Sequence, residues 1–181
     1  MRLAKLGYDE LTPEQKVVWD EVVAGPRGKM HGPFFIWLHS PELLSRGEKL
    51  GLYARFQSSL PQRLSELCIL ITASHWKASG EWIDHEPIAR KLGVDANALE
   101  ALRTGKPAKF KQNDETAVND LAQELLQTRA LSDATYQRAV AVLGTRGVLD
   151  TIAVLGYYGL IAMSMKAFKM LPDSQTVDPF A

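Results

Sequence analysis

Glu66, Glu81 and His85 are the residues of this sequence whose types and spacing could move a proton. They stand in the stretch ELCILITASHWKASGEWIDH, residues 66–85, inside and beside a strongly apolar helical pattern. Glu81, His85, Ile88 and Leu92 fall at i, i+4, i+7 and i+11, which is one face of one helix. A carboxylate one turn from an imidazole on an inward face can fix its tautomer and favour its protonated form, which makes Glu81 and His85 an acid/base pair with Glu81 as the orienting group. The alternative is a partly buried histidine satisfied by its neighbour for structural reasons alone. Glu66 bears on that choice, because a second carboxylate in so apolar a segment is costly to bury without a partner. A hairpin of the two helices would bring it to the same pocket.

Those helices must be positioned by the rest of the chain. Leu64, Leu67, Cys68, Leu70, Ile71 and Ala73 make the Glu66 segment a helix buried on most sides, opened by Pro61 and separated from the His85 helix by a break at Ser79-Gly80. Thr12-Pro13 and Ser40-Pro41 read as helix starts, the second helix carrying Leu43, Leu44, Leu50, Tyr53 and Phe56. Between them, residues 25–39 read as an irregular loop whose aromatic cluster either lines a pocket or plugs the core. Gly93 ends the His85 helix, and a short helix follows over residues 94–102. Residues 104–112 read as a solvated basic loop. Asn113 or Asp114 and Ser132 start two further helices. Gly144 ends the second of these, and Val148 begins a last helix that is apolar all round and must be covered on all sides. No period-two alternation predicts a sheet, so the expectation is an all-α, single-domain helical bundle over residues 1–181. Residues 1–11 form an arm and residues 171–181 an extended tail.

The 181 residues carry 21 basic and 21 acidic side chains, a balance that argues against nucleic acid or an anionic membrane as partner. No uninterrupted apolar run reaches the roughly 18 residues of a membrane span and the first residues lack a signal-peptide core, so a cytoplasmic protein is expected. The single cysteine, Cys68, excludes an intrachain disulfide and reads as a small buried hydrophobe. His31, His39, His75 and His85 show no metal-ligand spacing, so neither a metal nor another cofactor is expected.

At the Glu66–His85 stretch the sequence resembles the carboxymuconolactone decarboxylase and alkylhydroperoxidase-D-like family. Thiol-dependent members carry Glu, eleven residues, Cys-x-x-Cys, three residues and His. This chain keeps the frame as Glu66, eleven residues, Ala78-x-x-Glu81, three residues and His85, with both cysteines absent. The text EWIDHEP is similar to the cysteine-free, decarboxylase-type branch, and GPFFIWLHSPEL, LPQRLSELCIL and LGTRGVLDTIAVLGYYGLIAMSM look like family blocks in the family order. Ser65 and Ser74 stand where many members have Arg, and Asp150 where many have Glu.

The resemblance implies the alkylhydroperoxidase-D-like helical fold, a trimer or hexamer, and a cofactor-independent decarboxylase-type enzyme acting on a small carboxylated lactone or related acid. His85 is then the proton donor, Glu81 orients it, Glu66 completes the network, and Arg63, His39 and Trp82 are candidate substrate contacts. Arg63, one turn before Glu66, is placed either to pair with an acid or to bind an anionic group. Two other readings stay open. A thiol-based peroxide reductase would need the missing cysteines, and a non-catalytic ligand-binding or scaffold protein would fit the loss of the arginines at 65 and 74.

Overall fold

A computed structural model describes residues 1–170 and 177–181, and among these the chain is helical with no strand. Helix α1 (Pro13–Ala24) starts at a reciprocal cap in which Thr12 Oγ1 accepts from the Gln15 amide and Gln15 Oε1 accepts from the Thr12 amide. Within the expected irregular loop, Phe34–Trp37 wind into one short helical turn, α2, and Phe34, Ile36, Trp37 and Leu38 are buried. Those side chains both plug the core and, through Phe34, reach the cavity described below.

Helix α3 (Pro41–Leu52) turns a different face inward from the one its leucines suggest. Leu43, Leu50 and Phe56 are exposed, whereas Leu44, Gly47, Glu48 and Gly51 are buried. The glycines explain the choice: a Cβ at Gly47 would stand 2.7 Å from the Trp37 ring and one at Gly51 would overlap the Tyr157 hydroxyl. Close approach of two aromatic rings thus fixes the orientation of α3. The helix runs on into a π turn, Tyr53–Gln57, whose extra residue rotates the following side chains.

Helix α4 (Gln62–Trp76) is the centre of the bundle, with every residue from Leu64 to Ala73 buried. It ends at Trp76 with Lys77 as its cap, just before the expected break at Ser79-Gly80. Lys77 takes the left-handed conformation (φ 50°) and the Ala78 amide reaches back to the Ala73 carbonyl, a Schellman closure made without glycine. Ser79 and Gly80 are therefore the first residues of α5 (Ser79–Lys91), and the short link folds α5 back along α4. Asp95 caps α6 (Ala96–Arg103), α7 spans Asn113–Thr128, and Ser132 caps α8 (Asp133–Phe168). Gly144 interrupts α8 with φ 69° and ψ 166°, a conformation that only glycine adopts freely.

Helices α5, α7 and α8 all pack on α4. By length and composition α8 contains an 18-residue window apolar enough to cross a membrane, of mean hydropathy 1.5. Of that window, 61% is buried inside the bundle. Its outer side carries exposed Leu149, Ile152 and Met163, so the all-round cover expected of it is incomplete within one chain. Residues 171–176 of the expected tail lie outside the described residues. The last residues fold against α5 and α6: Ser79 Oγ donates to Asp178 Oδ1 at 2.6 Å, Arg103 donates to the Pro179 carbonyl, and Phe180 packs edge-on against Trp82.

Candidate active site

Burial is what gives this site its chemistry. Glu66 is fully buried near the start of α4, and the fold-back of α5 sets His85 against it with Nδ1 2.5 Å from Glu66 Oε2. Arg55, delivered by the π turn, donates its Nε–H to the other carboxylate oxygen at 3.2 Å. Burial raises the Glu66 pKa, but the hydrogen bond and charge of His85, followed by those of Arg55, outweigh it and hold the carboxyl below its ordinary value. An ionised carboxylate can only accept, so the His85 proton on this side sits on Nδ1 and Nε2 is the nitrogen left for chemistry. The Tyr158 ring stands edge-on to the imidazole at 5.4 Å.

His85 and Glu81 both line a cavity of about 560 Å³ between α5, α8, the π turn and the loop before α2. Glu81 shares the helical face of His85 as the spacing predicts, but it does not orient the ring; Glu66 does. Glu81 is 7% exposed, its Oε2 is buried without a hydrogen-bond partner among the described residues, and burial pushes its pKa up to about 7, with Asp84 adding to the rise. The site therefore holds two carboxyls pushed in opposite directions, Glu66 held below its ordinary value by His85 and Arg55 and Glu81 raised toward neutrality by burial.

Of the other residues read as substrate contacts, none lines the cavity. Arg63 pairs with Asp114 at 2.7 Å and Glu115 at 2.5 Å, which makes it a tie between α4 and α7. The ring of exposed His39 bonds the Ala4 carbonyl at 3.0 Å and secures the N-terminal arm. Trp82 is buried on the far side of α5 under Phe180.

The cavity instead presents Arg27, His31 and Arg55, which sequence reasoning did not single out. The Arg27 guanidinium lies 5.1 Å from the Phe34 ring centre, and Arg55 lies 4.9 Å from that of Phe56. Burial, then the charges of Arg27 and Arg55, push the His31 pKa down to about 4, so this ring is neutral and accepts from Arg27 Nη1 at 3.4 Å. Asp150 works behind this wall. It accepts from the Tyr53 hydroxyl at 2.6 Å and from the Ser59 hydroxyl and amide at 2.6 and 2.7 Å, clamping both ends of the π turn to α8. Among the described residues no group of three His, Cys, Asp or Glu side chains is arranged to hold a metal ion.

The architecture that positions these groups recurs in solved structures. An uncharacterized peroxidase-related protein from Silicibacter sp. TM1040 superposes with a TM-score of 0.75 at 16% identity, over 96% of this chain and 92% of the other. A second peroxidase-related protein, from Ralstonia eutropha JMP134 and described as an alkylhydroperoxidase AhpD core, gives 0.75 at 14% identity, over 99% and 94%. This is the AhpD core fold. No protein-family model and no curated protein matches the sequence. Within the AhpD core fold, the hairpin of α4 and α5 is what joins Glu66 to His85, and Ala78 and Glu81 occupy the positions where the thiol-dependent frame described above has cysteines. Cys68 is fully buried in α4, and burial pushes its thiol up to about 12.

Proposed function

We propose that the cavity is the active site of a cofactor-independent acid/base enzyme of the decarboxylase type, acting on a small carboxylated lactone or related ring acid. The observation that carries this reading is the buried Glu66–His85 bond at the edge of a cavity that also holds Glu81, whose Oε2 is buried without a hydrogen-bond partner and whose pKa burial raises to about 7. In decarboxylation the bond to the carboxyl carbon breaks, CO2 departs, and the electron pair stays on the substrate as an enolate-like anion. Glu81 donates a hydrogen bond to the developing oxyanion, a role that requires a carboxyl still carrying its proton. His85, in its doubly protonated form, delivers the Nε2 proton to the carbanionic carbon and is left neutral, while Glu66 orients the ring and balances the imidazolium charge and Arg55 holds Glu66 in place.

The peroxide-reductase reading draws on the names of the structural neighbours. It is opposed by the chemistry of the one cysteine, since a fully buried thiol with its pKa near 12 supplies no attacking thiolate at neutral pH. Release of CO2 from candidate lactone acids, measured together with melting temperature, tests the proposal. His85→Ala should lower turnover by roughly 10² to 10⁴ with the fold retained. Turnover per folded molecule unchanged in that variant would reduce the cluster to a structural pair, and wild-type protein that binds such acids without converting them would make it a ligand-binding protein.

A further inference from the structure

Arg27 has more hydrogen-bonding capacity than its surroundings use. A guanidinium presents five N–H donors, and the Arg27 side chain is only 6% exposed. Its one hydrogen bond among the described residues runs from Nη1 to His31 Nε2. Nε forms an ion pair with Glu48 Oε1 at 3.6 Å, too long for a hydrogen bond, so both atoms are buried without a hydrogen-bond partner. A buried donor left unmade costs stability, and this one belongs to a charged group that lines the cavity.

The surroundings define what the remaining donors of this guanidinium would bind. Phe34 and Phe56 lie at 5.1 and 6.0 Å from the guanidinium, while neutral His31 adds no charge of its own. Arg55 shares the Phe56 ring but is committed to Glu66. Glu48 answers the Arg27 charge only through the long 3.6 Å contact, so the guanidinium keeps unused donors, whose fork suits a planar carboxylate, and Lys29 adds a second cation to the same lining. The aromatic and aliphatic walls suit an apolar or ring-like body, and the volume is that of a small-molecule site.

We propose that Arg27 is the specificity residue of the cavity, binding a carboxylate of the ligand while His31 holds the guanidinium in place. This rests on the preceding reading only in taking the cavity as the place where substrate binds; it does not require turnover.

Benzoate and its uncharged analogue benzamide probe the claim by calorimetric titration of the whole protein. Wild type should prefer benzoate by roughly 10- to 100-fold, the value of one charged hydrogen-bonded contact. Arg27→Gln should abolish most of that preference while leaving benzamide binding in place, and Arg27→Lys, which keeps the charge without the fork, should fall between. The titration reads binding and not turnover, so a failure of the catalytic reading and a failure of this one are separable. Equal affinity of wild type for the two probes, no binding of either, or unchanged benzoate binding in a folded Arg27→Gln or Arg27→Lys protein would overturn the assignment.

Discussion

Glu66 and His85 are 19 residues apart in sequence and 2.5 Å apart in the fold, whereas Glu81, one helical turn from His85, makes no bond to it. The two carboxyls consequently titrate in opposite directions, and stability should record both. The Glu81 pKa is raised in the folded state to about 7, so the folded protein holds a proton that the unfolded chain releases near pH 4.5. Stability is therefore lost as pH rises between those values, by ~3 kcal/mol in all. Glu81→Gln removes the ionisation. The melting-temperature difference between variant and wild type should grow by roughly 6 to 12 °C from about pH 4 to about pH 8 and then level off. Parallel curves would show that Glu81 is ionised in the fold.

Glu66 runs the other way. Its folded pKa is depressed, so its contribution is complete above the ordinary carboxylate range and disappears as pH falls through the depressed value. Glu66→Gln should flatten the acid limb of the stability curve and, by leaving Arg55 without its carboxylate, lower stability at neutral pH by about 3 to 5 kcal/mol. An acid limb as steep as that of wild type would contradict the assignment.

Asp150 holds the turn that delivers Arg55. Loss of its charge in Asp150→Asn weakens three hydrogen bonds at once, and at about 1.5 kcal/mol or more for each charged bond, with partial compensation, the cost should be about 2 to 4 kcal/mol. Because Arg55 lies between the two anchored residues, Tyr53 and Ser59, activity per folded molecule should drop as well. Denaturant unfolding paired with turnover checks both halves. A stable variant with full activity would show that the π turn holds itself.

Cys68 should react slowly with a thiol-specific alkylating agent in the native protein and quickly after denaturation, because it is fully buried and its thiol titrates near pH 12. Rapid native labelling that abolishes activity would reopen thiol chemistry.

The helix periodicity of the sequence was enough to place Glu66 and His85 on buried faces and to forecast an all-helical bundle, since both depend on apolar spacing that the fold respects. It misassigned the partner of His85, because an i,i+4 relation is visible in sequence while a contact across a hairpin depends on where the hairpin turns. That turn is made by Lys77 in a left-handed conformation, which its residue type does not announce. Arg27 and Arg55 were missed for a related reason. One lies in an irregular loop and the other on a π turn, where no regular period tells which side chains face inward. The available hint was local, an Arg followed directly by Phe56 on a helix whose glycines mark close packing.

The outer side of α8 carries the last prediction. Leu149, Ile152 and Met163 are 61%, 42% and 46% exposed, and with exposed Gly156 and half-buried Leu160 they follow a spacing of three and four residues along one face. Large apolar side chains gathered on one stripe mark an association surface, and a glycine within the stripe lets a second helix approach closely. A homo-oligomer built on this face, of trimer or hexamer size, should sediment well above the monomer at micromolar concentration. Replacing Leu149 and Ile152 together with Asp should return it to a monomer without loss of helical signal, because neither side chain belongs to the core. Wild-type protein that sediments as a monomer would sink the expectation of a homo-oligomer, and an oligomer indifferent to the double substitution would move its interface elsewhere.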